Sequence, residues 1–265
     1  MNIKYGYPIK FNIGLPKLLS EIKFAKRYFD FIEITLELDS QNLDLLLKYT
    51  FQDIQLIKRA LGNFKAISHF DWDIDPFDHL KKIGNIIKVL KKLGIHQLTV
   101  HPYEKSNKSF QDINDLLLKI NRICEKNKIL LCIENNSSAV FSKASEFAKL
   151  INNIPNSNIT LDIGHANKIS KSELDLFLKR FYQKIKHIHL HDNYGQIDHL
   201  FFNNKNKFKK IISKINSINY SGTITLETFH ILKNGQKKYL SASRDNIIKR
   251  RKLFLDQLKM IKNEY

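Results

Sequence analysis

The feature that most constrains the fold of this chain is an alternation of short β-branched runs with longer segments of helical period, repeated eight times. Each repeat spans about 30 residues, the size of one strand, one helix and their connections. Strands joined through helices run parallel, because an antiparallel pair needs only a tight turn. Eight such units in 265 residues predict an α/β fold, a (β/α)8 TIM barrel that occupies 1–265 as a single domain.

The predicted elements follow in order along the chain. The strands are expected at 3–9, 31–36, 64–69, 97–101, 130–135, 157–163, 184–200, where the strand runs into a loop, and 223–228. The helices are expected at 15–28, 43–61, 77–93, 113–126, 143–152, 171–181, 207–216 and 243–261. An open, doubly wound sheet is the alternative, but no strand is followed by a Gly-rich phosphate-binding sequence.

Composition bounds the setting in which the protein works. The sequence has no apolar run of 18 or more residues, and its Lys-bearing N-terminal segment lacks the apolar stretch of a secretory signal, so we expect a cytoplasmic protein that does not bind membranes. Cys124 and Cys132 fit reduced, buried thiols. The formal net charge of +18 is weak evidence for a polyanionic partner, since the basic residues are 37 Lys and only 7 Arg. The basic run 249–252 is expected to be the solvated face of a helix.

Titratable side chains follow the predicted strands. Enzymes with this fold hold their active sites at the C-terminal ends of the strands. A carboxylate that follows an apolar run is costly to bury unless it is paired or binds a metal. Glu33 and Glu37 on the second strand are lower-ranking candidates to reach the cavity. Six consecutive strands end in candidate residues, which predicts one site at the barrel mouth: His69, His101, Glu134, Asp162 with His165, His189 and Glu227.

The segment 184–200, KIKHIHLHDNYGQIDHL, contains four of the ten histidines. His187, His189 and His191 share one parity, so they face the same side of a strand. Imidazoles in this arrangement, followed by His199 in the loop, are typical ligands of a borderline transition metal. His187 lies deeper than His189 and is expected inside the barrel, supporting a ligand without being one.

Four short motifs occur in order, one per strand. They are IEN around Glu134, LDxxH of Asp162 and His165, HxHLHDN from His187 to Asn193, and LE of Glu227. Together they resemble the xylose isomerase-like barrels, a superfamily that joins sugar and sugar-phosphate isomerases and epimerases with apurinic endonucleases of the endonuclease IV type. The resemblance implies that Glu134, Asp162, His189 and Glu227 bind one divalent ion, which could be zinc, manganese, magnesium or cobalt.

The primary expectation is a metal-dependent isomerase or epimerase acting on a sugar or a sugar phosphate. Glu134 and Glu227 would remove and return a proton on opposite sides of the substrate. Asp162 and His189 would serve as metal ligands only, and His165 would hold a substrate oxygen. Further expected substrate contacts are His191, Asn136 and Trp72. The sequence leaves the oligomeric state open.

The alternative is a zinc-dependent endonuclease that hydrolyses phosphodiesters at abasic sites in DNA. Members of that type hold three zinc ions, which implies a second and a third metal position here. The additional ligands would be His69, His101, His165, His199 and Asp198. The match is incomplete, because the family's Asp-x-His pair has Ile197 where the aspartate is expected, and Asp198 directly precedes His199. Under this alternative Trp72 would be an aromatic wedge into nucleic acid.

A third hypothesis is a barrel that binds a metabolite or nucleic acid without catalysis. The intact pair of Glu134 and Glu227 argues against it, since a binding protein does not need both carboxylates. The number of bound metal ions separates the two enzymatic hypotheses. One ion favours the isomerase, whereas three zinc ions favour the nuclease.

Overall fold

The computed structural model of the chain describes residues 3–38, 45–72, 75–103, 108–136, 140–194, 197–233, 236–239 and 244–262. In chain order the strands are β1 (Lys4–Lys10), β2 (Phe31–Leu38), β3 (Lys65–Trp72), β4 (Gln97–Val100), β5 (Leu130–Glu134), β6 (Asn158–Asp162), β7 (Ile185–His189), β8 (Asp192–Tyr194), β9 (Ile197–Leu200), β10 (Thr223–Thr225), β11 (His230–Lys233) and β12 (Gln236–Tyr239). Eight of them close into a parallel barrel in the order β1-β10-β7-β6-β5-β4-β3-β2. The predicted fold is therefore confirmed.

Helices surround the barrel. They are α1 (Leu15–Tyr28), α2 (Leu45–Lys48), α3 (Phe51–Leu61), α4 (Leu80–Leu93), α5 (Phe110–Lys126), α6 (Ala144–Asn153), α7 (Ile163–Ile169), α8 (Lys171–Phe181), α9 (Lys205–Ser217) and α10 (Arg244–Lys262). Their apolar faces pack on the outside of the strands, as in α4, where Ile83, Ile87 and Leu90 recur at helical spacing and are buried. The main apolar core therefore lies between the barrel wall and the helices.

Several predicted boundaries differ from the structure for local reasons. The helix expected at 43–61 is interrupted, because the Thr50 side chain accepts a hydrogen bond from the Asp53 backbone and starts α3 there. The helix expected at 77–93 begins at Leu80, after a turn that follows Pro76. The eighth barrel strand ends at Thr225, so Glu227 lies two residues beyond it, while β3 continues three residues past His69.

A second, smaller sheet lies beside the barrel mouth and was not predicted. Its strand order is β12-β11-β9-β8, and β8 pairs antiparallel with β9. The segment expected to be a loop after β7 is thus a hairpin, joined to β11 through the pairing of Leu200 with His230. Helix α7, which begins directly after Asp162, was not predicted either. Both features bring residues of the candidate site to the mouth.

The basic run 249–252 is only partly a solvated face. Arg250 is buried, donates a hydrogen bond to the Pro8 carbonyl over 2.6 Å, and lies over the rings of Tyr7 and Phe254. Arg251 pairs with the buried carboxylate of Glu21. Two of the four charges therefore hold α10 in place, Arg250 against β1 and Arg251 against α1. No helix in the described part of the chain is long and apolar enough to cross a membrane.

Gly6 and Gly84 offer a matched pair of substitutions that tests the packing. A Cβ at Gly6 would lie 2.2 Å from the buried ring of Phe31 on the neighbouring strand, whereas a Cβ at Gly84 in α4 would meet no described atom closer than 3.7 Å. We expect Gly6→Ala to lower the free energy of unfolding by about 1–3 kcal/mol through overpacking. We expect Gly84→Ala to be neutral or to stabilise the protein by up to about 1 kcal/mol through helix propensity. Urea unfolding of both variants measures the difference, and equal stabilities would contradict the close packing of β1 on β2.

Candidate metal centre

The C-terminal ends of the barrel strands bring the titratable side chains together. His69, Glu134, Asp162 and His189 lie on β3, β5, β6 and β7. His101 follows β4 directly and Glu227 follows β10 by two residues. Three more histidines come from the neighbouring segments: His165 on α7, His191 between β7 and β8, and His199 on β9. The structure thus gathers nearly all the residues that the sequence singled out.

Four of these residues form an inner group, Glu134, Asp162, His189 and Glu227. One donor atom from each lies within 4.8 Å of the donor atoms of the others. The Nδ1 atom of His189 is 3.0 Å from Glu134 Oε1 and 3.1 Å from Glu227 Oε2. All four side chains are buried. This convergence is the geometry that a single bound divalent ion requires.

A second group, His69, His101 and Glu134, lies next to the inner group and shares Glu134 with it. Glu134 Oε2 is 3.4 Å from His69 Nε2 and 3.5 Å from His101 Nε2. The other ring nitrogen of His69, Nδ1, lies 3.5 Å from Glu227 Oε1. The two glutamates therefore connect the inner group to the two histidines.

An outer group consists of Asp162, His165, His191 and His199, and it shares Asp162 with the inner group. His165 Nδ1 donates to the Asn135 carbonyl over 3.0 Å and lies 3.6 Å from Asp162 Oδ2. His199 Nε2 lies 3.6 Å from Glu227 Oε2. The outer group is thus built from three different segments of the chain.

Asp198, expected as a ligand, lies on the far side of His199. Its carboxylate is 3.2 Å from His199 Nδ1 and 3.2 Å from the Lys168 ammonium. It is absent from the donor groups among the described residues. The structure therefore gives Asp198 the task of orienting the His199 ring, which is how carboxylates commonly support a metal-bound histidine.

Several donor atoms of the centre have no hydrogen-bond partner among the described residues. Neither ring nitrogen of His69 has a hydrogen-bond partner among the described residues, and the same holds for Glu134 Oε2. Glu227 Oε2 is near His189 Nδ1, but the two atoms are not aligned as a hydrogen bond. Buried polar atoms without partners cost about 1–3 kcal/mol each. A set of imidazole nitrogens and carboxylate oxygens suits zinc, manganese or cobalt, so the residues fit divalent ions.

Neighbouring carboxylates raise the pKa of three histidines of the centre, His189, His69 and His199, and that of His189 lies well above its usual range because Glu134, Glu227 and Glu33 outweigh its burial. Burial by itself lowers the pKa of His69, but Glu134 and Glu227 outweigh it and raise the pKa to about 9. Burial also lowers the pKa of His199, but Asp198 and Glu227 outweigh it and raise the pKa to about 10. Without a bound metal ion, all three rings are therefore protonated at neutral pH.

Burial dominates at other positions of the centre. It raises the pKa of Glu134 to about 7, against the opposing charges of His189 and His69. It lowers the pKa of His165 to about 4, although Asp162 acts in the other direction. A neutral His165 imidazole can bind a metal ion without first losing a proton.

Glu33, a lower-ranking candidate, holds the imidazoles from below. It is fully buried on β2, and its carboxylate is 3.1 Å from His189 Nε2 and 3.2 Å from His187 Nε2. Glu37 has the same parity but lies at the rim with Lys10 and Asn12. Parity alone could not separate the two glutamates, because they differ only in depth along the strand.

The expected substrate contacts fall into different surroundings. The Asn136 side chain accepts from His101 Nδ1 over 3.0 Å and donates to the Pro102 carbonyl, so both ends of its amide are occupied by the chain. Its contact with a substrate stays a prediction. Trp72 ends β3, and its side chain lies outside the described part of the structure. His191 belongs to the outer group described above.

Comparison with known proteins identifies the family. A family model described as xylose isomerase-like TIM barrel matches residues 22–258, and the chain therefore belongs to the xylose isomerase-like TIM barrel family. The protein MJ1614 of Methanocaldococcus jannaschii is 34% identical over 151 residues, which are 51% of this chain and 57% of that protein. The match thus spans only a little more than half the length of this relative.

Solved structures of both enzyme classes share the fold. D-allulose 3-epimerase from Methylomonas sp., crystallised with D-allulose, aligns over 100% of this chain and 98% of its own, with a TM-score of 0.71 and 17% identity. Endonuclease IV from Thermus thermophilus aligns over 97% of this chain and 99% of its own, with a TM-score of 0.62 and 14% identity. At these identities the likeness concerns the fold alone.

Replacing Glu33 with Ala is expected to weaken metal binding, although Glu33 is outside the three groups described above. The change leaves the Nε2–H groups of His187 and His189 without an acceptor, which costs on the order of 1–3 kcal/mol of stability. It also lets His189 turn, which lowers zinc affinity about 10- to 100-fold. Competition with a chelator measures the affinity, and urea unfolding of the metal-free protein measures the stability.

Glu37→Ala is the matched control on the same strand and parity. Its partner Lys10 is partly exposed, so the loss of stability should stay below about 1 kcal/mol and the zinc affinity should not change. If Glu33→Ala bound zinc as tightly as Glu37→Ala, Glu33 would have no part in positioning His189.

Zinc binding to the metal-free protein at pH 7 should release protons, because a ligand histidine must be neutral. His69 and His199, with pKa values of about 9 and 10, and His189, whose pKa lies well above its usual range, each lose one proton, and raising the pH toward 9 should tighten zinc binding. Calorimetry in buffers of different ionisation enthalpy counts the protons. Asp198→Asn, which removes a carboxylate that raises the His199 pKa, should release about one proton fewer. Zinc binding without proton release would contradict the protonation of these rings.

Proposed function

We propose that this protein is a divalent-metal-dependent phosphodiesterase of the apurinic/apyrimidinic endonuclease type. The observation that carries the proposal is the sharing of carboxylates between donor groups. Glu134 belongs to the inner and the second group, and Asp162 belongs to the inner and the outer group. Shared carboxylates hold neighbouring ions close together, which is what a multinuclear hydrolytic centre needs and a single-ion isomerase does not.

The surroundings of the two glutamates support ligation over proton transfer. Both oxygens of Glu134 face imidazoles, Oε1 toward His189 and Oε2 toward His69 and His101. Both oxygens of Glu227 do the same, since Oε1 faces His69 and Oε2 faces His189. A carboxylate that removes a proton from a carbon must turn one oxygen to the substrate. Neither glutamate has an oxygen directed away from the imidazoles.

Divalent ions in such a centre supply a hydrolytic nucleophile at neutral pH and stabilise the leaving oxygen. The chain contributes the positions of the ligands and the side from which a phosphodiester approaches. The side chains of His101 and His199 are 18% and 22% exposed, whereas those of Glu134 and His189 are fully buried. A phosphate group therefore meets the centre along its second and outer groups. The net charge of +18 favours the approach of a polyanion.

A sugar or sugar-phosphate isomerase or epimerase is the second candidate. It is favoured by the inner group, because Glu134, Asp162, His189 and Glu227 alone complete a site for one divalent ion. In that function Glu134 and Glu227 would exchange the substrate proton, and His165 would bind a substrate oxygen. A site for a single ion does not account for the additional imidazoles of His69 and His101, and the packing of apolar side chains does not require them either.

Incision of a duplex with a single abasic site, in the presence of zinc or manganese, tests the proposal. We expect metal-dependent cleavage next to the abasic site, and His69→Ala and His101→Ala should each reduce it about 100-fold or more because they remove donors of the second group. Glu37→Ala should cleave like the wild-type protein.

The opposite result would favour the second candidate. No incision by metal-replete protein, together with metal-dependent exchange of the proton next to the carbonyl of a ketose or its phosphate, would overturn the nuclease and support the isomerase. In that case His69→Ala and His101→Ala should leave the exchange largely intact, whereas Glu134→Gln should abolish it.

A further inference from the structure

We propose that His191 is the fourth ligand of the outer group, where it replaces the carboxylate that the chain lacks at position 197, and that Gly164 is the residue that makes room for its ring. The inference rests on the multinuclear centre of the proposed function and assigns one of its ligands. The ligand concerned is His191, which was expected from the sequence to contact the substrate.

The position of the ring suits a ligand. His191 is buried, and its Nε2 atom lies 3.0 Å from the Asp162 carboxylate. Two ligands of one tetrahedral zinc ion, each about 2.0–2.2 Å from the metal, lie about 3.3–3.6 Å apart, so the His191 and Asp162 atoms need to move apart by only a few tenths of an ångström to hold an ion. The His191 ring stacks on His199 with centroids 4.2 Å apart and contacts His165 edge-on at 5.5 Å. The three imidazoles therefore surround one volume next to Asp162.

The other ring nitrogen of His191 is held by the backbone. Nδ1 accepts a hydrogen bond from the His199 backbone N–H over 3.0 Å and lies 3.2 Å from the Asp192 carbonyl. In the metal-free protein the ring proton is therefore on Nε2, which donates it to the Asp162 carboxylate over 3.0 Å. A metal ion bound at Nε2 would take the place of this proton, and a proton on Nδ1 would then have the Asp192 carbonyl as its acceptor.

Gly164 shows that space for the ring is built into the fold. A Cβ at this position would lie 1.9 Å from Cε1 and 2.5 Å from Nε2 of His191, too close for any side chain. Gly164 is absent from the described glycines with a positive φ, so the backbone conformation does not demand glycine there. The reason for glycine is therefore the His191 ring. The sequence motif LDxxH thus contains the residue that makes room for His191, which lies between β7 and β8.

The two residues nearest to the missing aspartate cannot take its role. Ile197 has no donor atom, and Asp198 is engaged with Lys168 and with Nδ1 of His199. Without His191 the outer group would keep three protein donors, one of which it shares with the inner group. His191 brings the number of donors in the outer group to four.

The number of zinc ions bound after exhaustive dialysis tests the inference. His191→Phe keeps a ring that can stack on His199 but has no nitrogen, and it should bind one ion fewer than the wild-type protein. Gly164→Ala should have the same effect, because the added methyl group displaces the ring. His96→Phe, at an exposed histidine outside the centre, is the control and should keep the wild-type number. The visible spectrum of the cobalt-loaded proteins should lose the same component in both test variants.

If the Gly164→Ala protein folds poorly, a second measurement still tests the clash between the added methyl group and the His191 ring. If the methyl group clashes with the ring, the double variant Gly164→Ala/His191→Ala should unfold at a higher temperature than Gly164→Ala in the metal-free state. A double variant no more stable than Gly164→Ala would overturn the steric pairing of the two residues.

The outcomes separate this inference from the proposed function. If wild-type protein and His191→Phe bind the same number of ions, above one, His191 is not a ligand while the multinuclear centre stands. A wild-type protein that binds a single ion overturns both. If His191→Phe loses one ion but the wild-type protein cleaves no abasic duplex, the ligand assignment stands and the proposed activity fails.

Discussion

The cost of removing carboxylates from water governs the arrangement at the mouth of this barrel. Glu33, Glu134, Asp162 and Glu227 are all buried, and each ion taken from water without compensation costs several kcal/mol. Every one of them faces imidazoles, and the barrel supplies these from neighbouring strands at distances of about 3–3.6 Å. His69, His189 and His199 compensate the charge in two ways, since their raised pKa values keep them protonated in the metal-free protein and they release these protons when a divalent ion takes over. The carboxylates therefore face positive charge both without metal and with it.

The support of the centre continues below it. Inside the barrel, polar side chains bond to one another: Thr99 to Thr160 over 2.8 Å, and His187 to Thr223 over 2.8 Å. Glu33 connects this layer to His189. A buried polar network with satisfied partners fixes the rotamers of its members more firmly than apolar packing does. The orientation of His189 is thus determined several residues below the mouth, by contacts that never reach a substrate.

Much of this arrangement could be predicted from the sequence, and there are physical reasons why the rest could not. Glu134, Asp162 and His189 were identifiable because a titratable residue at the C-terminal end of an apolar barrel strand points to the active-site mouth. The roles of Asp198 and His191 depend on which side of His199 each occupies, and a hairpin between them determines that. The hairpin itself was missed because its strands are only three and four residues long and contain polar residues, so they lack a clear period.

The hairpin of β8 and β9 has a consequence for how such a centre can change over evolution. The inner group stands on the barrel strands and the segment after β10, so altering it endangers the closure of the fold. His199, in contrast, stands on a strand that pairs outside the barrel, with β8 and β11. Insertions and substitutions there leave the barrel hydrogen bonds untouched. The outer group can therefore gain or lose the His199 donor while the inner group and the barrel strands stay the same, so the number of donor groups at the mouth can change without a change of fold.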